Sequence, residues 1–249
     1  MKLPLSWLSD YTDMTGITPK EYDAKLTMSG SKVEEVYYLG AEIDNVVTGK
    51  ILEVVDHPDS DHLKICQLDV GKEEPVQIVT GAPNVTPASV GEICPVCLHK
   101  STLPGGVKIT KGKLRGEVSN GMLCSLKELG LTLNDFPYAI EDGIWILQED
   151  CKPGDDINTV IGNDDTVVDF EITNNRPDCY SILGLAREAA AAFNKPMRHH
   201  DPVVRGGAAG ELSELLEVEV PAEDLCRRYT ARMVRNVKIA PSPKWLRQR

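Results

Sequence analysis

What this 249-residue sequence has little of narrows its function before anything else does. No stretch approaches the roughly 20 apolar residues that a membrane-spanning helix needs. The opening Met1-Lys2-Leu3-Pro4-Leu5-Ser6-Trp7-Leu8 is too short for the apolar core of a signal peptide, and Asp10 follows it. No GxxxxGKS/T or GxGxxG loop is present to cradle a nucleotide phosphate, and no GxSxG elbow to expose a serine nucleophile. Aromatics make up only 5% of the chain, so a base-stacking platform has few candidates, Trp145 and Tyr138 being nearest. The seven cysteines are odd in number and scattered, which suits free thiols in a reducing cytosol rather than a disulfide framework. A cytoplasmic location, with no membrane partner and no DNA, is therefore expected. Positive charge is scarce as well: 27 Lys and Arg face 38 Asp and Glu, for a net charge of −11. That balance excludes nucleic-acid binding over the whole surface and leaves room only for a local patch.

Residues 100–127 contain one. Lys100, Lys108, Lys111, Lys113, Arg115 and Lys127 face a single acid, Glu117, for a segment charge of about +5. Clustered Lys and Arg on an acidic protein is the footprint of a phosphate-bearing partner. An exposed hairpin whose lysines discourage edge pairing would give the same pattern, so both readings stand. The segment closes with Ser119-Asn120-Gly121-Met122-Leu123-Cys124-Ser125, a polar turn running into an apolar strand.

Around this patch the texture of the chain changes twice. Thr18-Pro19-Lys20-Glu21 is a capping box with proline at the first helical position, so a helix starts there and Gly30 stops it. A strand follows at 33–39. From about residue 43 short strands alternate with turn signals: 46–55, 63–70, 76–79, 93–98, then 107–109 paired with 113–118, and 143–147. The apolar phase of 63–70 slips between Ile65 and Cys66, which predicts a bulge in a strongly bent strand. With one short helix at 125–131, this reads as a small all-β barrel. Beyond Lys152-Pro153-Gly154 helix and strand return: Val168, Phe170 and Ile172 on one strand face, then a helix capped by Asp178 or Ser181 and running through Phe193. Residues 199–211, with Gly206-Gly207-Ala208-Ala209-Gly210, look like a linker or long loop. Strands are expected at 216–220 and 230–237. Ser242-Pro243 caps a helix that begins at Lys244 and is not finished, so the chain reads as a fragment of a longer protein.

Other constellations compete with the basic patch. Cys94-Pro95-Val96-Cys97 with His99 invites a zinc site, but no second CxxC pair exists and the alternation suits ordinary strand residues. His57 and His62 flank an acidic turn, which fits metal or acid–base chemistry or simply a polar strand connection, the reading favoured here. Asp155-Asp156 and Asp164-Asp165 lie in a stretch, 141–171, with ten acids and one lysine, so a solvated acidic face outweighs a cation site.

Several of these segments together resemble the β subunits of bacterial phenylalanyl-tRNA synthetases. His57-Pro58-Asp59-Ser60-Asp61-His62-Leu63, Gln77-Ile78-Val79-Thr80-Gly81-Ala82-Pro83-Asn84-Val85, Leu103-Pro104-Gly105-Gly106-Val107-Lys108-Ile109 and 114–125 resemble the barrel motifs of that family. Free-standing tRNA-binding proteins share those motifs. The segment 26–36, Glu171-Ile172-Thr173-Asn174-Asn175-Arg176-Pro177-Asp178-Cys179, and Arg228-Tyr229-Thr230-Ala231-Arg232 leading to Trp245-Leu246 are similar to the synthetase subunit alone. The sequence departs at Thr80, where cysteine is common, at His62, where arginine is common, and at Asn174, where proline is common.

The resemblance covers essentially the whole chain and about the first third of such a subunit. It implies an α+β fold: an N-terminal α+β domain from 1–39 and 152–198, interrupted by an OB-fold tRNA-binding barrel at 40–151. A linker and the truncated start of an α/β editing domain follow at 199–249. It implies an enzyme that joins phenylalanine to its tRNA with ATP and Mg2+, as an α2β2 assembly in which the α subunit activates the amino acid. The editing site and the magnesium ligands of the β subunit would lie past residue 249. This segment would then hold no catalytic residue, no metal and no cofactor. The expected tRNA contacts are Lys108, Lys111, Lys113 and Arg115 to phosphates, with Asn120 and Ser125 as hydrogen-bonding groups for sugar or base. A free-standing tRNA-binding or RNA-chaperone module and a docking spacer that barely touches RNA are the alternatives.

Overall fold

The computed structural model describes residues 1–201, 203 and 212–247. The chain opens with β1 (Lys2–Pro4), α1 (Leu5–Leu8), α2 (Pro19–Met28) and β2 (Val33–Tyr38). Eight strands follow: β3 (Asp44–Asp56), β4 (Lys64–Asp69), β5 (Val76–Thr80), β6 (Ile93–Leu103), β7 (Val107–Ile109), β8 (Gly112–Leu114), β9 (Glu117–Ser119) and β10 (Gly121–Leu123). Then come α3 (Ile157–Ile161), β11 (Thr166–Phe170), α4 (Ile182–Phe193) and α5 (Lys244–Arg247). The architecture is mixed α/β with one strongly curled antiparallel sheet.

A small antiparallel sheet of order β1-β11-β2 joins segments far apart in sequence. Leu3 faces Val168 and Val168 faces Val36, while the Met1 amino group reaches Asp169 and the Phe170 carbonyl. The helices cover one face of this sheet. Leu3, Leu8, Tyr22, Leu26, Phe170, Leu185 and Ala189 form a single buried cluster, with the Tyr22 ring edge-on to Phe170 and stacked on Phe193. Local signals set the helix ends: Thr18 and Glu21 make the reciprocal capping box, Ser181 caps α4, and Asn194 at φ 52° ends it. Replacing Thr18 by alanine removes the side-chain acceptor for the Glu21 amide. It is expected to cost about 1 kcal/mol, read as a shift of the urea midpoint at constant m-value.

The larger sheet has the order β10-β6-β3-β4-β5, with β7 added beside β6. It curls until its two ends meet. The Asn120 amide donates to the Gln77 carbonyl at 2.9 Å, and the Val79 amide donates to Ser119 Oγ at 3.0 Å. Curvature comes from the long strands. β3 pairs with β6 along its first part and with β4 along its second, and its register shifts between Ile51 and Glu53, leaving Leu52 as the extra residue. The bulge is thus in β3 and not in 63–70, since β4 pairs with β5 in unbroken register from Lys64 to Leu68. Ile65 and Cys66 are both buried, so the apolar slip reflects a strand covered on both faces.

Five further expectations are corrected. Residues 113–118 are not one strand paired with 107–109. β7 pairs with β6, and β8 and β9 make their own hairpin around Arg115-Gly116. Residues 143–147 carry no strand. Asn84 clamps Ile144 with two side-chain bonds of 2.9 Å, and the Trp145 and Leu147 amides donate to Cys124 and Ile93 carbonyls. Their apolar pattern reflects burial of Ile144, Trp145 and Leu147 without a ladder. The helix expected at 125–131 is a single 3-10 turn, Lys127–Leu129, ended by Gly130 at φ 72°. Residues 216–220 and 230–237 form no strand, because no ladder partner faces them among the described residues. Val218, Val234 and Val237 are exposed there. The glycine-rich segment 206–210 lies outside the described residues. β1, α1 and α3 carried too few residues for any periodicity to announce them.

Candidate nucleic-acid interface

The basic segment folds into two adjoining pieces. Lys108 lies on β7, opposite Thr102 of β6, and Lys111 follows in the connection, where its amide donates to His99 Nδ1 at 3.1 Å. Lys113 lies on β8, opposite Val118 of β9. Arg115 and Gly116 make the two-residue tip with φ of 48° and 96°, a turn that needs positive φ at both positions and therefore favours glycine at the second. Lys108, Lys111 and Lys113 are exposed, and among the described residues none of their ammonium groups makes an ion pair. On a molecule of charge −11, this is positive charge held free of the surrounding acids.

The other expected contacts are placed differently. Arg115 is exposed, but its Nη1 donates to the Asp59 carbonyl at 3.0 Å. Asn120 is half-buried at the β9–β10 junction, and its Nδ2 donates to the Gln77 carbonyl at 3.3 Å. Ser125 lies apart from the hairpin, in a groove shared with Gly81, Pro83, Met122 and Gly143. Its hydroxyl donates to Glu128 Oε2 at 2.8 Å and accepts the Glu128 amide. The structure thus leaves the four cations exposed on β7, the β7–β8 connection and the β8–β9 hairpin, sets Asn120 at the β9–β10 junction and leaves Ser125 against a carboxylate. Trp145 is buried, its ring centroid 4.4 Å from that of Phe136, and offers no face to a base.

Two residues that anchor the hairpin had only a weak signal. His57, expected to sit in a polar connection, is 3% exposed; its Nδ1 accepts the Asp59 amide and its Nε2 donates to the Leu114 carbonyl, both at 3.0 Å. His62 is exposed. Gln77 holds the other strand, its Nε2 donating to the Val118 carbonyl at 2.9 Å. Spacing cannot reveal such bonds, because 57 and 114 come together only when β3, β4 and the hairpin are assembled.

The cysteines do not converge as the CxxC spacing suggests. Alternation along β6 sends Cys94 into one buried cluster and Cys97 into another, and His99 stays at the surface. Cys97 Sγ instead meets Cys124 Sγ at 2.9 Å. Burial pushes the Cys66 thiol up to about 11 and Cys94 higher still. The bond to Cys97, then burial, raises Cys124. Among the described residues no three His, Cys, Asp or Glu side chains gather as metal ligands. The acids of 141–171 are more than a solvated face: Asp155 and Asp156 accept the Lys152 and Asn158 amides, Asp165 holds Ser6, and the Glu149 side chain is buried against Tyr138. No described helix is long and apolar enough to cross a membrane.

Residues 46–156, which hold the curled antiparallel sheet and the basic hairpin, match the family described as "Putative tRNA binding domain". Over all 249 residues the chain is 52% identical to the phenylalanine–tRNA ligase beta subunit of Clostridium acetobutylicum, and over 247 residues 46% identical to that of Moorella thermoacetica. The chain is similar to these β subunits along its whole length and spans about 30% of theirs. The C-terminal domain of Plasmodium vivax p43 is 23% identical with a TM-score of 0.28, over 34% of this chain and 46% of that one, a likeness too low to carry an argument.

Proposed function

We propose that the chain is the non-catalytic, tRNA-contacting part of a phenylalanine–tRNA ligase β subunit. The observation that carries this reading is the exposed lysines Lys108, Lys111 and Lys113, free of ion pairs among the described residues, on a chain whose full length is similar to such subunits. In this reading residues 40–151 are an OB-fold. The strand order β3-β4-β5-β10-β6 around the curled sheet supports it, with β5 tied to the start of β10 by the Gln77–Asn120 and Val79–Ser119 bonds. Residues 1–39 and 152–198 form the α+β domain around it, and 199–249 open a further α/β domain that belongs to editing. The intact enzyme is an α2β2 assembly in the cytoplasm that attaches phenylalanine to its tRNA with ATP and Mg2+. The described side chains gather into no cation site, and no chemical step is assigned to them. The positive segment acts on the phosphate backbone, which positions an RNA without reading its bases.

The net charge of −11 favours a second reading, in which the barrel is a docking spacer that hardly touches RNA. A salt titration of tRNA binding separates the two, because only phosphate contacts give a steep dependence. Activation of phenylalanine is a separate test. The purified chain alone is expected to show no ATP–pyrophosphate exchange, and exchange that survives removal of host enzyme would overturn the non-catalytic assignment.

A further inference from the structure

The β8–β9 hairpin has a stability problem that its own sequence does not solve. It is a sheet of two strands with three residue pairs, and its ladder bonds join only β8 to β9. Two-stranded hairpins of this length are marginal in water, so bonds to the rest of the molecule decide where it sits. Bonds to both strands carry this load. On β9 the Val79 amide donates to the buried Ser119 Oγ at 3.0 Å, and Gln77 reaches the Val118 carbonyl and, at 3.5 Å, Glu117 Oε2. On β8 and the tip His57 reaches the Leu114 carbonyl and Arg115 reaches the Asp59 carbonyl; of these two side chains only His57 is buried.

The donor and acceptor roles at His57 follow from its partners. The Asp59 backbone nitrogen can only donate, so Nδ1 accepts; the Leu114 carbonyl can only accept, so Nε2 carries the proton. One nitrogen folds the 57–59 turn, and the other ties that turn to the strand bearing Lys113. The His57 ring is buried while Asp59 and Leu114 lie at the surface, so a fixed ring holds an exposed strand to an exposed turn.

We propose that His57 is a positioning residue for the basic hairpin, and that its Nε2 bond to Leu114 presets where Lys111 and Lys113 meet an RNA phosphate backbone. The inference rests on the RNA-binding reading given above. A hairpin released from this bond still carries its lysines but occupies the binding-competent position for a smaller fraction of the time. Affinity then falls by that fraction, while the number of phosphates engaged in the complex stays the same. Loss of a lysine, by contrast, lowers affinity and flattens the salt dependence together.

Two substitutions divide the ring's roles. His57→Asn keeps an oxygen near the Nδ1 position for the Asp59 amide but does not reach Leu114. His57→Gln carries an amide NH2 far enough to reach Leu114 and gives up the Asp59 bond. Amide exchange across 112–119 and tRNA affinity at several salt concentrations are measured for both, with β3 and β6 amides as the control. In His57→Asn the hairpin amides are expected to exchange about fivefold faster, as befits one net hydrogen bond, and tRNA affinity to drop by a similar factor at unchanged salt slope. In His57→Gln both stay near wild type. Hairpin exchange unaltered in His57→Asn overturns the proposal, as does a His57→Gln variant that loosens and weakens binding equally. Should His57→Asn not fold, the His57→Gln result alone decides. Faster exchange with unchanged affinity overturns the binding half. The variant reversing Lys111 and Lys113 then locates the fault: if it too binds like wild type, the RNA reading itself has failed.

Discussion

Reversing two charges, Lys111→Glu with Lys113→Glu, removes tRNA binding at moderate salt and leaves the barrel folded. Both side chains are exposed, neither makes an ion pair among the described residues, and both lie on or beside a hairpin that adds nothing to the buried clusters. With four cations engaged, the log–log salt slope of the unaltered chain should be near −3, at about 0.7 per phosphate on single-stranded contacts. Two remaining cations would give a slope of about −1.4, and the new glutamates would repel the same phosphates. The measurement is a filter-binding or fluorescence titration from low to physiological salt, with thermal unfolding as the folding control. Affinity unchanged in the folded double variant would favour the spacer reading.

Trp145→Ala is expected to be the most damaging single substitution in the barrel. Trp145 is 1% exposed at the centre of a cluster with Ile43, Val46, Leu126, Phe136, Leu147 and Ile157. Its ring lies 4.4 Å from Phe136 and 6.4 Å from Tyr138, centroid to centroid. Only three Phe and three Trp occur in the chain, so few other large rings could move in to fill the space. A buried Trp or Phe cut to alanine costs about 3–5 kcal/mol, against a total stability of roughly 5–15 kcal/mol for a domain. The variant should populate unfolded chain in low urea, with loss of the Cys97 and Cys124 thiols' protection from alkylation. A cost below about 1.5 kcal/mol would mean that the site collapses around the missing ring, contrary to a close-packed cluster.

The alternation that placed strands at 46–55, 76–79 and 107–109 worked because each has one covered face or flanking turns that bound it. It failed at 113–118, where Lys113, Arg115 and Glu117 alternate with Leu114 and Val118 through a two-residue turn. A polar–apolar rhythm carries no mark of a reversal when the chain turns back after three residues. It failed at 143–147 for the opposite reason: Ile144, Trp145 and Leu147 are buried, but the bonds that hold them come from the Asn84 side chain and isolated carbonyls. The basic charge of the candidate site was legible, since like charges stay at the surface wherever the segment goes. Which of the site's polar groups are free was not, because Arg115 meets the Asp59 carbonyl only by way of folded neighbours.

What the sequence determined by itself is therefore what rests on neighbours in the chain. Thr18 and Glu21 sit three apart and cap α2 through bonds within one turn, Ser181 does the same for α4, and the +5 segment is basic in any conformation. Only the tertiary structure decided that Leu3 lies against Val168, that Asn120 and Ser119 close the curled sheet on β5, and that His57 holds the hairpin at Leu114. The physical reason is the range of the interaction. Caps and charge act over a turn or less, whereas strand partners and buried hydrogen bonds are chosen among many candidates by which arrangement buries apolar side chains while leaving no backbone group unpaired.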